Sequence, residues 1–193
     1  MNGCGIMSSI DEAKQKLSEL KHKSKFEKMV GAAAVLTGLL ETHHIKPVIV
    51  GGLAVEIYTR GDYTTVDIDV IISDRGLAAE LLRQLDFIKA GRHLYHETLM
   101  VSIEIPNNVL EGADENRIIQ LELEDKQKVY VIGIEDIILD RLRACVHWRS
   151  TSDCEWGRRM LLLHRERLDM AYLKKTAASD STAEKLQEWL QID

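Results

Sequence analysis

Two aspartates, Asp67 and Asp69, stand one residue apart in a run of mainly β-branched aliphatic residues from Val66 to Ile72. Because side chains alternate between the two faces of a strand, this spacing places both carboxylates on one face. Neighbouring carboxylates repel each other, and a hard divalent cation between them relieves that repulsion. The pair therefore indicates a metal site, but an exposed strand face carries the same spacing, so both interpretations stay open.

A glycine pair, Gly51-Gly52, follows the short apolar run Val48–Val50 and precedes a predicted helix from Leu53 to about Thr59. Glycine lets the backbone approach a phosphate closely, and a helix N-terminus offers free N–H groups and a favourable dipole. A plain tight turn would use the same two residues. A glycine turn that is followed by a pair of acids on one strand face is hard to explain by structural requirements alone. The combination therefore indicates nucleotide chemistry.

The elements that position these residues alternate between apolar strands and amphipathic helices, which predicts an α/β (α+β) fold with a mixed central sheet flanked by helices. We predict a loose tail over residues 1–9, helices over 11–43, 53–59, 75–85, 135–149, 153–164 and after Ser181, and strands over 48–50, 66–72, 99–105, 118–124 and 128–134. The last two strands have the pattern of a hairpin. The chain thus divides into a core over 1–134, which includes the N-terminal helix, and a helical C-terminal part over 135–193.

Val50-Gly51-Gly52 followed by Asp67-Ile68-Asp69 resembles the hydrophobic-Gly-Gly and Asp-x-Asp signature of the polymerase-β-like nucleotidyltransferase superfamily. The stretches Gly51–Glu56 and Thr65–Asp69 are most similar to its small bacterial members. These include nucleotidyltransferase-like proteins, antibiotic nucleotidyltransferases and toxins of toxin–antitoxin pairs. The resemblance covers residues 48 to 72, and the rest matches as a pattern of elements. It implies a nucleotidyltransferase fold.

The family uses a third carboxylate on a neighbouring strand, and Glu104 is the candidate here. The predicted strand from Leu99 to Ile105 alternates cleanly, and Glu104 lies in its middle on the polar face. A solvent-facing strand glutamate is the alternative. Glu97 is less suitable because it lies in the turn before the strand. The family usually has an aspartate at this place, so the longer glutamate changes the expected metal geometry.

The resemblance implies a mechanism with Asp67, Asp69 and Glu104 as catalytic and metal-binding residues. Asp67 and Asp69 would hold two Mg²⁺ ions roughly 3.5–4 Å apart that clamp a nucleoside triphosphate. Glu104 would help to bind one ion and act as base toward the acceptor hydroxyl. Gly51 and Gly52 would hold the phosphates while the acceptor attacks in line and pyrophosphate leaves. The acceptor could be a small molecule, an RNA or a protein.

Three further residues are candidates for phosphate binding: Thr65, Arg60 and Arg141. Thr65 opens the Thr-x-Asp-x-Asp run, and Tyr63 stands where many relatives have an arginine, which Arg60 would replace. Some related toxins carry a lysine in a helix after the hairpin, and Arg141 occupies that place here. An arginine keeps the charge but changes the geometry.

The composition limits the classes of partner. With a net charge of −6, the whole chain is not a natural polyanion binder. Seven arginines between Arg141 and Arg167 form either an acceptor surface or a solvated helical face. The cysteines, Cys4, Cys145 and Cys154, show no C-x-x-C spacing, so we expect free thiols in a reducing cytoplasm.

Other features argue against a membrane-spanning segment and against a metal site built from histidines. The longest apolar stretch, about Met29 to Leu40, is too short to span a bilayer, and there is no signal-peptide pattern. His93 and His96 lack a third partner in the sequence, so we expect no metal there. A homodimer or a cognate partner protein remains open. The rival hypothesis is a non-catalytic nucleotide-binding protein or a toxin–antitoxin partner that keeps the fold.

Overall fold

The computed structural model describes residues 9–191 of the chain. The predicted loose tail, apart from Ser9, lies outside the described residues, as does Cys4. The helices are α1 (Ser9–Glu19), α2 (Lys25–Glu41), α3 (Gly51–Tyr58), α4 (Arg75–Gln84), α5 (Ile134–His147), α6 (Thr151–His164), α7 (Met170–Ser179) and α8 (Ala183–Gln191). The strands are β1 (Val48–Val50), β2 (Ile68–Ile71), β3 (Ile88–Ala90), β4 (His93–His96), β5 (Val101–Glu104), β6 (Ile119–Glu122) and β7 (Lys128–Val131).

The seven strands form one sheet in the order β3-β4-β5-β2-β1-β7-β6. The sheet is mixed, as predicted. β1 runs antiparallel to β2 and parallel to β7, and β2 runs parallel to β5. β4 pairs antiparallel with both β3 and β5. This order brings three strands that are distant in sequence, β1, β2 and β5, side by side.

The chain separates into two compact units. The first contains the described residues up to 53, 65–109 and 120–131, and it holds nearly the whole sheet with α1, α2 and α4. The second contains residues 54–64, 110–119 and 132 onward, with α5 to α8. In the first unit α2 packs against α4, β5 and β7. Because α2 is buried almost continuously from Met29 to Leu40, it is a central helix rather than a surface one.

The predicted single helix over 11–43 is wrong, because the chain forms two helices separated at Ser24. The Ser24 hydroxyl accepts a hydrogen bond from the Glu27 amide at 3.2 Å, and the Glu27 carboxylate accepts one from the Ser24 amide at 2.8 Å. This reciprocal pair is a capping box, which starts a new helix at Lys25. The periodic apolar pattern of α2 extended the prediction past this local signal.

Three elements were not predicted: the short strands β3 and β4, and the helix α7. The residues of β3 are all exposed and those of β4 all half-buried, so neither strand shows the apolar alternation that marks a strand from sequence. Two predicted boundaries also move. Helix α3 begins at Gly51 rather than Leu53, and β2 begins at Ile68, since Val66 lies before the strand with 71% of its surface exposed.

The expectation of free thiols is wrong for Cys145 and Cys154, which form a disulfide. The two cysteines lie on consecutive helices, α5 and α6, joined by a short turn, and this brings their Cα atoms to 4.7 Å. A separation of nine residues across a helical hairpin carries no motif that sequence reading recognises. Because these two cysteines form a disulfide, cysteine usage no longer supports the prediction of a reducing compartment. Among residues 9–191, no helix is long and apolar enough to cross a membrane.

Candidate functional site

A single row of residues crosses the sheet of the first unit. Val50 of β1 lies opposite Asp69 of β2, Asp69 lies opposite Glu104 of β5, and Glu104 lies opposite His93 of β4. Residues directly opposite each other in a sheet project from the same face. Asp69, Glu104 and His93 therefore share the face opposite to the buried side chains of Ile68 and Ile103. The strand order turns three separate sequence positions into one polar row.

Asp67, His93 and Glu104 come together as a candidate cation site. One ligand atom from each residue lies within 4.8 Å of the other two. Metal–oxygen bonds measure roughly 2.0–2.6 Å, so two ligands of one ion lie up to about 5 Å apart. His93 Nδ1 is buried without a hydrogen-bond partner among the described residues, at 3.5 Å from Glu104 Oε2. The donor set therefore fits a divalent cation.

His93 is the site residue that the sequence reasoning missed. It was set aside for want of a third partner. The pairing of β4 with β5 supplies Glu104, and the pairing of β5 with β2 brings Asp67, just before β2, to the same place. One signal in the sequence could have found it. Gly91 has a φ of 65° and, with Arg92, forms a two-residue link between β3 and β4. A glycine at the first position of such a link is a hairpin signal.

Gly51 is required by the position of Asp69. Gly51 has a φ of 59°, and a Cβ built on it would overlap the Asp69 carboxylate. Only glycine therefore combines this backbone conformation with room for the acid. The close approach also means that the start of α3, which includes Gly52, lies beside the carboxylate row. The glycine pair and the second aspartate belong to the same site.

Thr65 contacts the first aspartate. Its side chain is buried, and its hydroxyl lies 3.2 Å from Asp67 Oδ1, to which it donates a hydrogen bond. This contact restricts the rotamers of a residue that stands just before β2, where no strand partner fixes it. Thr65 therefore positions Asp67, whereas its predicted phosphate contact stays a prediction.

Arg92 extends over the carboxylate row from the β3–β4 link. Its Nε lies 3.2 Å from Glu104 Oε2 and 3.3 Å from His93 Nε2. The arginine side chain is 75% exposed, whereas the Glu104 side chain is 13% exposed. The partly buried carboxylate thus has a solvent-facing cation as its partner. Such a partner can move away when another cation approaches Glu104.

The remaining predicted residues, Arg60 and Arg141, belong to the second unit. Arg60 is exposed with a φ of 55°. Arg141 contacts Asp153 at 2.6 Å and Asp140 at 3.4 Å. Burial works against its charge, yet the two carboxylates outweigh burial and raise the pKa of Arg141. Because this guanidinium is already paired, its predicted phosphate contact would require exchange of those partners. Both phosphate roles stay predictions.

Three of the seven arginines between Arg141 and Arg167 form ion pairs within the second unit. Arg143 pairs with Asp180 at 2.6 Å and Arg159 with Asp62 at 2.9 Å, in addition to Arg141 with Asp153. Tyr63 packs edge-on against Trp156 with ring centroids 5.0 Å apart. These contacts favour the interpretation of this stretch as a structural and solvated helical face.

The chain is similar to known proteins in its family and in its fold. A family model described as "Nucleotidyltransferase of unknown function (DUF6036)" matches residues 12–191. No curated protein matches the chain significantly. Two solved structures share its fold. An antigenic nucleotidyltransferase-like protein from Paracoccidioides brasiliensis is 16% identical, with a TM-score of 0.58 over 86% of this chain and 93% of that one. The antibiotic-resistance factor ANT(2'')-Ia is 14% identical, with a TM-score of 0.52 over 79% of this chain and 91% of that one.

Proposed function

Because the chain belongs to the DUF6036 family of nucleotidyltransferases, we propose that it transfers a nucleoside monophosphate from an NTP to an acceptor hydroxyl in an Mg²⁺-dependent reaction. The family and the fold support a nucleotidyl transfer role. The observation that carries the proposal is the row Val50–Asp69–Glu104, which joins the glycine turn to two carboxylates. We assign the chemistry to the predicted core over 1–134 and an accessory role to 135–193.

The donor set suits the cation that this chemistry needs. Asp67, Asp69 and Glu104 offer the carboxylate oxygens that Mg²⁺ prefers, and His93 adds an imidazole nitrogen. Asp67 and Glu104 already lie within reach of one ion, and Asp69 is the register partner of Glu104. A bound divalent cation would neutralise the triphosphate and make its α-phosphorus easier to attack.

The protein's own groups account for positioning and proton transfer. The first-turn amides of α3, beginning at Gly51 and Gly52, would donate hydrogen bonds to phosphate oxygens. The acceptor oxygen forms a bond to the α-phosphorus while the bond from that phosphorus to the pyrophosphate oxygen breaks. The hydroxyl proton passes to the carboxylate of Glu104, whose known contacts with Arg92 and His93 both use Oε2.

Calorimetric titration with ATP, GTP, CTP and UTP, each with and without Mg²⁺, tests the proposal. We expect Mg²⁺-dependent binding of at least one NTP, and loss of that binding in Asp67→Asn and Asp69→Asn. Both variants should stay folded or gain slightly in melting temperature, because each removes one of the mutually repelling charges. Glu122→Gln in strand β6 is the control, since it removes a carboxylate that is exposed and outside the row. Binding without Mg²⁺, or equal binding by both asparagine variants, would contradict the metal assignment.

We further propose a cytoplasmic protein that works either as a homodimer or with a cognate partner, as in the toxin–antitoxin pairs that its motif resembles. Co-expression with the product of the adjacent gene, followed by assay of NTP turnover, tests this. Inhibition of turnover by that product would support a toxin–antitoxin pair. Turnover that is unaffected by it would leave the chain as a stand-alone transferase.

A further inference from the structure

Arg92 contacts two of the three residues that form the candidate cation site. Its Nε lies 3.2 Å from Glu104 Oε2 and 3.3 Å from His93 Nε2. Arg92 belongs to the two-residue link between β3 and β4, across which Ala90 pairs with His93. This tight link places Arg92 directly before His93, and its long side chain reaches back over the carboxylate row. The protein thus brings its own cation to residues that a metal ion would use.

The first consequence concerns the carboxylate of Glu104. Its side chain is mostly buried, and the ion pair with Arg92 offsets the cost of removing this charge from water. A divalent cation bound to the same oxygen would lie roughly 2.0–2.6 Å from it, which is next to the guanidinium. Two positive charges so close together repel each other. Arg92 and a metal ion therefore compete for Glu104.

The second consequence concerns the two ring nitrogens of His93. A neutral imidazole has one N–H, and its other nitrogen is the one that can accept a hydrogen bond or bind a metal. Because Nε2 accepts the hydrogen bond from Arg92, the proton is on Nδ1. Nδ1 is buried, 3.5 Å from Glu104 Oε2 and without a hydrogen-bond partner among residues 9–191. In this form, the nitrogen that faces the carboxylate has no lone pair for a metal ion.

Metal binding by Nδ1 requires the opposite arrangement of the ring. With the proton on Nε2, Nδ1 can bind a cation together with Asp67 and Glu104, since one ligand atom of each residue lies within 4.8 Å of the other two. The imidazole keeps a single proton in both arrangements, so only the position of that proton changes. The N–H at Nε2 would then face the N–H of Arg92, and two donors repel each other. The Arg92 contact and metal binding by His93 Nδ1 therefore exclude each other.

We propose that Arg92 is an autoinhibitory counter-ion. In the metal-free protein it holds Glu104 and His93 in a form that does not bind a cation, and metal binding requires its release. The proposal rests on the proposed function, because it assigns a regulatory contact to the same cation site. The negative charge of a triphosphate weakens the repulsion between Arg92 and the metal. The metal therefore binds most readily together with the NTP, and a free divalent cation binds less tightly than the donor set alone would allow.

Titration of the full chain with Mn²⁺ in the absence of nucleotide, with the free ion measured by electron paramagnetic resonance, tests the proposal. The test variant is Arg92→Met, which keeps an unbranched side chain and removes the charge and the donors. The matched control is Lys89→Met, which removes one positive charge from the same hairpin. Lys89 is exposed and lies opposite Leu94, which lies opposite the buried Ile103, so it projects from the other face of the sheet. The control therefore measures the effect of charge without the contacts.

We expect Arg92→Met to bind Mn²⁺ about fivefold or more tightly than the parent, since an exposed ion pair contributes up to about that factor and the repulsion of the metal is also removed. Lys89→Met should stay within about twofold of the parent, because salt screens charges that do not contact the site. Long-range ¹H–¹⁵N spectra, assigned with His93→Asn, give a second measurement. The His93 proton should be on Nδ1 in the metal-free parent and on Nε2 after addition of Zn²⁺.

Three outcomes would overturn the proposal: Arg92→Met binds Mn²⁺ no more tightly than the parent, Lys89→Met gains as much affinity as Arg92→Met, or the His93 proton does not start on Nδ1 and move to Nε2. Each of them leaves the proposed function standing. Absence of divalent-cation binding by the parent and by Arg92→Met, with and without NTP, would contradict the proposed function and this proposal together. The two failures are therefore distinguishable.

Discussion

Glu104 lies directly opposite Asp69 in the register of the parallel strands β2 and β5. Because opposed residues share a face, the two carboxylates project to the same side of the sheet. Asp67, just before β2, reaches the same place and has a ligand atom within 4.8 Å of one from Glu104. Glu104, the candidate for the third carboxylate that the resemblance implies, is therefore positioned by strand pairing and not by proximity in sequence.

Glu104→Gln should leave Mg²⁺-dependent NTP binding largely intact and lower transfer by about 10²–10⁴-fold, the usual effect of losing a general base. The amide keeps the size of the side chain, but it cannot accept the hydroxyl proton. Pyrophosphate release under single-turnover conditions measures the effect, and Glu122→Gln in β6 serves as the control. Transfer at the parental rate in Glu104→Gln would rule out this residue as the base.

Gly51→Ala should destabilise the protein and also weaken Mg²⁺-dependent NTP binding, because its Cβ overlaps the carboxylate of Asp69. Gly61→Ala is the matched control. Gly61 also has a positive φ, of 88°, but a Cβ there would meet nothing within 4 Å. The control should lose about 1–2 kcal/mol in the free energy of unfolding and keep NTP binding. Urea unfolding and calorimetry compare the two, and equal behaviour would show that Gly51 is only a turn residue.

His93→Asn should weaken Mn²⁺ binding by about tenfold or more and weaken Mg²⁺ binding less, since imidazole suits transition metals and Mg²⁺ prefers oxygen ligands. Electron spin-echo spectroscopy of bound Mn²⁺ should show a histidine nitrogen in the parent and none in the variant. His43→Asn, an exposed position in the turn after α2, should change neither result. A parental spectrum without a nitrogen signal would exclude His93 as a ligand.

The stability of the protein should fall as the pH drops below about 6.5, the ordinary pKa of histidine. Burial lowers the pKa of His96, whose ring packs edge-on against Phe87 and whose Nδ1 accepts a hydrogen bond from the Leu99 amide. The unfolded chain then binds a proton at a higher pH than the folded protein does. The contribution of His96 is therefore complete above the unfolded pKa and is lost as the pH falls toward the folded one.

Urea unfolding between pH 8 and pH 5 measures this dependence. His96→Gln should be less stable at pH 8 and should show a shallower decline toward pH 5. The control, His43→Gln, should reproduce the parental decline. An unchanged slope in His96→Gln would assign the acid sensitivity to other groups.

The sequence alone determined those features that are set within a single strand, helix or short segment. Alternation fixed the face of Glu104 in β5, and the apolar runs located β1, β2 and α4 to within a few residues. The glycine pair and the two aspartates were recognisable because their spacing within one short segment carries the chemistry. Their resemblance to nucleotidyltransferases was confirmed by the family that the chain matches.

Only the tertiary structure decided which distant elements meet. Periodicity describes how one segment buries its apolar side, but it does not say which strand pairs with which. The position of β5 beside β2 and β4 brought Glu104 and His93 to Asp67, and the helical hairpin brought Cys145 to Cys154. The edge strand β3, which has no buried residue of its own, exists because β4 supplies its hydrogen-bond partners. Long-range pairing, which local patterns do not encode, completed the site.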